Sequence, residues 1–333
     1  MIDLPKPYVL FIGDVDLSVR AKIAHSLAYF CSHDCVGVVY AKKNRVIIDG
    51  LPELTLAQAR EKGARSMVLA TVNPGGMVAD TDITYILQAI DCGLDVISGM
   101  HTPLSSFDPI RRLAQDKGVQ LHELRCANTH ISVATGKKRS GKRILTVGTD
   151  CSSGKMYTSL TLHQYMQTLG IKSQFVATGQ TGILIAGSGI AVDHVISDFT
   201  AGAAEQLSPA TDDDAYYVIE GQGSLFHPSF AGVSLSLLHG SQPDYIILCH
   251  DPLRTHVLGT QYVLPGIAET IEMNLSLARL TNPCVQCVGV SINSKALSLE
   301  DANQYILELE QRLGLPVTDP CRFGVKPLTS FIG

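Results

Sequence analysis

The chain has 333 residues, of which 45% are hydrophobic, and its formal net charge is −5. This length exceeds what a single small core needs, so we expect two well-packed domains. The negative charge and the lack of a long basic run argue against nucleic acid or an anionic membrane surface as the main partner. The negative net charge is still compatible with a small anionic ligand, because a local cluster of cations is enough to bind one.

The N-terminal segment and the cysteines indicate the cellular compartment. The first ten residues include Asp3 and two prolines without a long apolar run, so they do not resemble a secretory signal. No uninterrupted apolar segment has the length of a membrane span. The nine cysteines lie scattered in strand-like segments, which is typical of small buried side chains in a reducing compartment. These features together predict a cytoplasmic protein. Cys284 and Cys287 have the spacing of half a zinc site, but the other half is missing, so we expect no metal there.

Strand-like and helical segments alternate through the first part of the chain. Strands are predicted at 8–12, 36–40, 46–48, 66–70, 96–98 and 119–123, and helices at 17–30, 56–62, 83–92 and 109–117. Such alternation indicates a parallel sheet with right-handed crossovers. We predict a Rossmann-like N-terminal domain over residues 1–135. It lacks the Gly-x-Gly-x-x-Gly fingerprint, which disfavours an NAD-dependent reaction.

Loops that follow these strands are the expected ligand-binding positions of the N-terminal domain, because ligands of parallel sheets gather at the carboxyl ends of strands. Asn73 precedes the pair Gly75 and Gly76, whose amides suit a carboxylate or a phosphate. His101 follows a later strand, where it serves equally well as an acid, a base, a hydrogen-bond donor or an ordinary histidine at the rim.

The most informative segment is a glycine-rich loop between an apolar strand-like run, which ends at Val147, and a segment with helical spacing. This order of elements supplies converging amides and a helix N-terminus to a phosphate, and Lys155 adds a charge. Five residues separate Gly148 from Gly154, one more than in the usual phosphate loop. In this respect the loop resembles dethiobiotin synthetase and its relatives. The alternative is a glycine turn with a capping serine and a surface lysine.

Met156 occupies the position after the lysine, where a Ser or Thr hydroxyl normally holds Mg²⁺. A methionine does not ligate a hard cation, so the loop is predicted to bind phosphate better than it hydrolyses a nucleotide. The predicted cofactor-binding residues are Gly148, Thr149, Asp150, Cys151, Ser152, Ser153, Gly154, Lys155 and Met156.

The rest of the chain continues the alternation and forms a predicted phosphate-loop α/β domain over residues 136–333, after a short basic linker. Strands are predicted at 173–177, 216–219, 245–250 and 285–292, and helices at 183–191, 266–280 and 301–313. Glu220 follows the strand 216–219, and phosphate-loop proteins keep a carboxylate at such a position to order a metal, a water or a substrate amine. Glu220 is therefore the first choice for a general base. Asn293 is assigned to cofactor binding by position alone, from the resemblance to dethiobiotin synthetase.

Taken as a whole, the chain resembles a family formerly described only as a domain of unknown function and since associated with D-glutamate N-acetyltransferase activity. The segments that carry the resemblance are 73–76, 99–101, 148–156 and 220–223. In that family a methionine after the lysine is ordinary. The resemblance implies transfer of the acetyl group of acetyl-CoA to the amine of D-glutamate, in D-amino-acid catabolism.

Acetyl transfer needs a base, a donor for the tetrahedral oxyanion and cations for two carboxylates. The candidate bases are Glu220 and Asp198, with His227 in reserve. The candidate oxyanion donors are His101 and the amides of Gly75 and Gly76. Arg125 and Arg254 are the candidates for bidentate contact with substrate carboxylates, and for each the alternative is a surface ion pair.

Two other functions remain open from the sequence. The resemblance to dethiobiotin synthetase favours an ATP-dependent kinase or ligase that uses Mg²⁺ and acts on a small carboxylic acid. A module that senses a nucleotide or CoA without turnover is the non-enzymatic alternative. In each case the partner is a small molecule, and a homo-oligomer is expected from the general frequency of symmetric assemblies.

Overall fold

The computed structural model describes residues 4–14, 18–41, 46–72, 76–125 and 130–332. Contacts divide the chain into two compact units. The first unit comprises Met1–Asn128 together with Gln180–His194, and the second comprises Thr129–Gly179 together with Val195–Gly333. The sequence analysis placed residues 180–194 in the C-terminal domain, whereas in the structure they cluster with the N-terminal unit.

The first unit is built on a five-stranded parallel sheet with the order β2-β1-β3-β4-β5. Its strands are β1 (Tyr8–Ile12), β2 (Cys35–Tyr40), β3 (Ser66–Leu69), β4 (Asp95–Ser98) and β5 (Leu121–Glu123). Its helices are α1 (Lys22–Cys31), α2 (Leu56–Glu61), α3 (Asp80–Asp91), α4 (Asp108–Lys117) and α6 (Gln180–Ala186). Every residue of β1 and β3 is buried, as expected for central parallel strands that are covered on both faces.

The second unit contains a six-stranded parallel sheet with the order β11-β10-β9-β6-β8-β7. Its strands are β6 (Lys142–Gly148), β7 (Ser173–Val176), β8 (Tyr216–Ile219), β9 (Tyr245–His250), β10 (Gln286–Ile292) and β11 (Val317–Thr318). Its helices are α5 (Lys155–Thr168), α7 (Ser197–Leu207), α8 (Ala231–Ser241), α9 (Ile267–Ala278) and α10 (Leu299–Leu313). Strands β8 and β9 flank β6, so the residues that follow these three strands meet at one edge of the sheet.

The basic linker before β6 is anchored by two arginines. Arg143 is fully buried, and its guanidinium donates only to backbone carbonyls, those of Arg139, Ser140, Gly141, Ser208 and Pro209. Arg139 donates in the same way to Glu205, Gly240 and Ser241. A buried charge is tolerated when its donors are satisfied, which accounts for Arg143. Both Nη atoms of Arg139 also bond to carbonyls, whereas its Nε has no hydrogen-bond partner among the described residues.

The predicted fold class is confirmed: an N-terminal Rossmann-like unit precedes a phosphate-loop α/β unit, and both sheets are parallel. Some predicted elements are wrong. Residues 46–48 form no strand, and the helix predicted at 183–191 is α6, which ends at Ala186. Helices α7 and α8 were not predicted, because their sequences are rich in glycine, alanine and serine instead of showing an apolar stripe. Within the described residues, every helix is too short or too polar to span a bilayer.

Candidate active site

The glycine-rich loop connects the central strand β6 directly to helix α5. Two of its residues adopt left-handed backbone conformations, Ser152 with φ of 54° and Gly154 with φ of 103°. Gly154 is also the residue that caps the N-terminus of α5. Alternation of left-handed and right-handed residues before a helix is the geometry of anion-binding loops. The predicted order of strand, loop and helix is confirmed.

Lys155 folds back over this loop. Its side chain is only 7% exposed, and Nζ donates to the carbonyl oxygen of Asp150 at 2.8 Å. A Cβ on Gly148 would lie 2.8 Å from the same Nζ, so a larger residue there would collide with the ammonium. Burial lowers the pKa of Lys155. The alternative of a surface lysine is therefore wrong.

Asp150 joins the loop to the segment that follows β9. Its carboxylate is completely buried, and Oδ1 accepts from the amide of Cys151 at 2.7 Å. Oδ2 accepts from the amide of Leu258 at 2.7 Å and from Nη1 of Arg254 at 3.0 Å. Arg254 also pairs with Asp251 at 3.3 Å and donates to the carbonyl of Cys151. In this structure Arg254 is thus engaged by the loop itself, and its contact with a substrate carboxylate stays a prediction.

Glu220 lies on the other side of the loop, directly after β8. It is 5% exposed, and Oε2 accepts from the amides of Thr178 at 3.0 Å and Gly179 at 3.2 Å. Burial raises the pKa of Glu220 to about 7, while these amides and the charge of Lys155 act in the opposite direction. A carboxyl group with this pKa gives and takes protons near neutral pH, as a general base requires.

Close packing behind Glu220 explains the glycine that follows it. A Cβ on Gly221 would lie 1.7 Å from the carbonyl oxygen of Thr146 and 3.1 Å from Cδ of Lys155. The amide of Gly221 instead donates to Oγ1 of Thr146 at 3.0 Å. Only glycine lets the chain after β8 approach β6 closely enough to place Glu220 within electrostatic range of Lys155.

His250 ends β9 and contacts the loop from a third direction, which the sequence analysis missed. Its Nδ1 lies 3.1 Å from Oγ1 of Thr149, and its ring stacks on Tyr305 with a centroid separation of 6.2 Å. Burial lowers the pKa of His250 to about 4, so the imidazole is neutral at ordinary pH. His250 could have been selected from the sequence, because it is the last residue of a predicted strand and ligands gather at the ends of such strands.

Two loop residues, Asp150 and Cys151, and the neighbouring His227 offer ligand atoms of the kind that bind metals, all within 4.8 Å of one another. His227 is 4% exposed; its Nε2 donates to the carbonyl of Leu258 at 3.0 Å, and its Nδ1 accepts from the amide of Ser229 at 3.1 Å. Both ring nitrogens are thus engaged, and Asp150 already accepts from a guanidinium. This donor set does not fit a metal cation. We refer to the three residues as the Cys151 cluster.

An open cavity of about 280 Å³ borders the Cys151 cluster. Its lining is mostly apolar and consists of Leu225, Phe226, His227, Pro228, Ala231 and Tyr262. The cavity has room for an uncharged, flexible part of a ligand whose anionic end lies on the phosphate loop.

The candidate residues of the N-terminal unit include His101 and Arg125. The amide of His101 donates to Gly76 at 2.7 Å, and its ring centroid lies 5.8 Å from that of His194. Burial, and after it the charge of Arg125, lower the pKa of His101, which favours the neutral ring. Arg125 pairs with Asp193 at 2.6 Å and donates to the carbonyl of Gly99, so its contact with a substrate stays a prediction. Asn73 and Gly75 lie outside the described residues.

Three remaining predictions concern residues around the second unit's sheet. Asp198 is exposed in the first turn of α7, a helix that packs against α8. Asn293 is exposed after β10, and its Cβ lies 3.9 Å from where a Cβ of Gly154 would be. Ser153 is buried and donates to the carbonyl of Asp150 at 3.0 Å. Asn293 and Ser153 thus adjoin the loop, and Asp198 is the weakest of the candidate bases because water surrounds its carboxylate.

These features define a class: a Rossmann-like unit joined to a phosphate-loop unit, with a buried lysine and a buried carboxyl group at the loop. Residues 41–127 match the family model described as "Domain of unknown function (DUF1611_N) Rossmann-like domain". Residues 132–329 match the one described as "Domain of unknown function (DUF1611_C) P-loop domain". The chain belongs to the DUF1611 family.

Comparison with individual proteins extends this family assignment. Proteins named D-glutamate N-acetyltransferase from a Pseudoalteromonas species and from Tritonibacter scottomollicae are each 44% identical to the chain, over 99% and 96% of both sequences. A crystal structure of a DUF1611 family protein from Anabaena variabilis has 30% identity and a TM-score of 0.89, over 98% of this chain and 99% of that one. Given the full-length similarity to two N-acetyltransferases, the chain is an acyltransferase enzyme.

Proposed function

We propose that this enzyme transfers the acetyl group of acetyl-CoA to the amine of D-glutamate. The acceptor follows from the names of the two relatives that are 44% identical to the chain. The observation that carries the proposal is Glu220, a buried carboxyl group with a pKa of about 7 within electrostatic range of the phosphate-loop lysine. The resemblance in sequence further supports a role in D-amino-acid catabolism. A cytoplasmic location is proposed from the N-terminal segment and the cysteines, and a homo-oligomer from the general frequency of symmetric assemblies.

The loop is better suited to binding the phosphates of CoA than to binding and hydrolysing a nucleotide. Lys155 is a buried ammonium whose partner at hydrogen-bond distance is a backbone carbonyl of the same loop, so it suits an incoming phosphate. Met156 stands where a hydroxyl would hold Mg²⁺. CoA carries a pyrophosphate and a 3′-phosphate, and neither requires a metal for binding.

In the proposed reaction Glu220 takes a proton from the ammonium group of the acceptor. The amine nitrogen can then form a bond to the thioester carbonyl carbon, and the bond from that carbon to sulfur breaks as the CoA thiol leaves. The amides of Thr178 and Gly179 fix the orientation of the carboxylate in advance. Such a base contributes a factor of about 10² to 10⁴ to the rate.

Two assays separate this function from the ATP-dependent alternative. The purified protein is mixed with acetyl-CoA and either D-glutamate or L-glutamate, and thiol release is followed. In parallel it is mixed with ATP, Mg²⁺ and small carboxylic acids, and ADP and phosphate are measured. We expect thiol release that depends on D-glutamate and yields its N-acetyl derivative. Sustained ADP release with a carboxylic acid would instead favour the kinase or ligase.

A further inference from the structure

We propose that Gln222 is a positioning residue for the base: its side-chain amide fixes the orientation of the Glu220 carboxylate and favours the ionised form that accepts a proton. The inference rests on the proposed function for the role of Glu220 and for the acceptor. It starts from the chain after β8, where Gln222 follows Glu220 by two residues and its side chain lies against the segment 178–179.

The hydroxyl group of Thr178 determines which way the amide of Gln222 points. Oγ1 of Thr178 donates to the backbone carbonyl of Glu220 at 2.6 Å, which uses the one hydrogen of the hydroxyl. Oγ1 therefore accepts in its other contact, which joins it to Nε2 of Gln222 at 3.1 Å. The NH2 group of Gln222, and not its oxygen, thus faces Thr178, whose backbone amide also donates to the carboxylate of Glu220.

The second hydrogen of the same NH2 group serves Glu220. The side chain of Gln222 forms a hydrogen bond with the Glu220 carboxyl group that lowers the pKa of that group. The two side chains also share one side of Gly179, because a Cβ there would lie 2.7 Å from Nε2 of Gln222 and 3.4 Å from Oε1 of Glu220. One NH2 group therefore links the base to the segment that holds its other oxygen.

The backbone of Gln222 is held independently of its side chain. Oγ of Ser234 donates to the carbonyl oxygen of Gln222 at 2.7 Å, and the amide of Gly221 donates to Oγ1 of Thr146. The side chain itself is half-buried, so a residue of similar size can replace it without opening a cavity in the core. A substitution at this position thus tests the contact with Glu220 and not the fold.

Among the described residues, four groups oppose the effect of burial on Glu220. Burial raises its pKa to about 7, while the amides of Thr178 and Gly179, the side chain of Gln222 and the charge of Lys155 favour the ionised form. The two amides belong to the backbone, and Lys155 serves the phosphates of the donor. Gln222 is therefore the side chain that sets the ionisation of the base without altering the phosphate loop. If its hydrogen bond is lost, the carboxyl group keeps its proton to a higher pH.

The test compares the pH dependence of kcat/KM in the full-length protein and in two variants, with acetyl-CoA and D-glutamate as substrates. In Gln222→Met the donor is lost, and we expect the acidic limb of the profile to move up by about one pH unit. The rate at pH 7 should then be about fivefold lower than that of the wild type, and at pH 9 it should be within about twofold. Gln222→Glu keeps the size of the side chain and adds a carboxyl group beside the first, so its acidic limb should move at least as far.

Gln304→Met is the matched control. Nε2 of Gln304, on α10, also donates to a carboxylate, that of Glu308 at 2.7 Å, but both side chains are exposed. Its pH profile should coincide with that of the wild type. A residue that only supported the fold would lower the rate equally at every pH and leave the acidic limb in place.

A second measurement needs no substrate. The infrared carbonyl band of protonated Glu220 is identified by its loss in Glu220→Gln and is followed across pH. Its midpoint should lie at about 7 in the wild type and rise by about one pH unit in Gln222→Met.

The outcomes separate this inference from the proposed function. A raised infrared midpoint in Gln222→Met, without any product from D-glutamate in the wild type, would support the role of Gln222 and overturn the acceptor. Turnover with D-glutamate whose acidic limb is the same in the wild type and in the variants would overturn the role of Gln222 and keep the function. If Gln222→Met does not fold, the limb of Gln222→Glu decides in the same way. An unmoved midpoint together with no turnover would overturn both.

Discussion

The chemistry of single residues at this site is set by burial, and Glu220 is the clearest case. We expect Glu220→Gln to lower kcat by a factor of about 10² or more, because the amide cannot take the proton of the acceptor ammonium. The affinity for CoA should be nearly unchanged, because the glutamine oxygen still accepts from the amides of Thr178 and Gly179. Steady-state kinetics of both proteins across pH provide the measurement. The wild-type rate should rise with pH through about 7, the pKa of this carboxyl.

A matched carboxylate makes this prediction specific. Glu123 is the last residue of β5 in the first unit, accepts from the amides of Leu104 and Ser105, and has a pKa that burial raises. Glu123→Gln should therefore keep kcat and its pH profile. An equal loss of activity in both variants would remove Glu220 from the role of base.

The same carboxyl group makes folding stability depend on pH. The pKa of Glu220 rises from 4.5 to about 7 on folding, so between these values the folded state holds a proton that the unfolded state has lost. Its contribution to the free energy of unfolding therefore falls as pH rises through this window, by up to about 3 kcal/mol. Chemical denaturation at pH 5 and pH 8 should show Glu220→Gln gaining stability relative to wild type as pH rises. A difference that does not change with pH would contradict the raised pKa.

The contacts of Asp150 are an example of residue pairings that could not be predicted from the sequence. The loop residues, Lys155 and Glu220 could be found because glycine spacing and strand ends mark them. Arg254 and Leu258 lie 104 and 108 residues further along the chain, and nothing local in the sequence pairs them with Asp150. The role predicted for Arg254 considered only its charge, whereas the structure shows which carboxylate already neutralises it.

Among the elements, strands were easier to predict than the helices that cover them. Strand β9 begins with a run of apolar residues, and β6 contains Ile144, Leu145 and Val147, since both faces of a parallel sheet are buried. Helices α7 and α8 pack through small residues and lack the apolar stripe that predicts a helix. Their packing is close enough that a Cβ on Gly240 would lie 2.1 Å from the carbonyl oxygen of Ala201.

This close approach predicts the effect of one substitution in α8. Gly240→Ala should lower the free energy of unfolding by about 2 kcal/mol, because the added methyl forces α7 and α8 apart. Gly232→Ala is the matched control in the same helix, since a Cβ there meets nothing within 4 Å. It should leave the melting temperature unchanged or raise it, because alanine favours a helix over glycine by up to about 1 kcal/mol. Equal losses in thermal melts of the two variants would contradict the inference that the close approach at Gly240 sets the effect.

On the scale of the whole molecule, the order of residues in sequence does not match their division into units. Residues 180–194 interrupt the second unit and belong to the first. Helix α6, in this segment, packs against α1, and its Ile183 and Leu184 are at most 1% exposed. A sequence pattern gives no sign of this, because the segment continues the alternation of the C-terminal half without a break in composition.

This division predicts how fragments behave. A fragment of residues 129–333 keeps α6 but loses α1, so Ile183 and Leu184 become exposed and we expect aggregation or a broad thermal transition. The same fragment with residues 180–194 replaced by a short Gly-Ser linker keeps the whole second sheet and should be soluble, with a single cooperative transition. Size-exclusion chromatography and thermal melts followed by circular dichroism compare the two. A fragment 129–333 that is monomeric and melts as sharply as the linker version would show that α6 does not depend on the first unit.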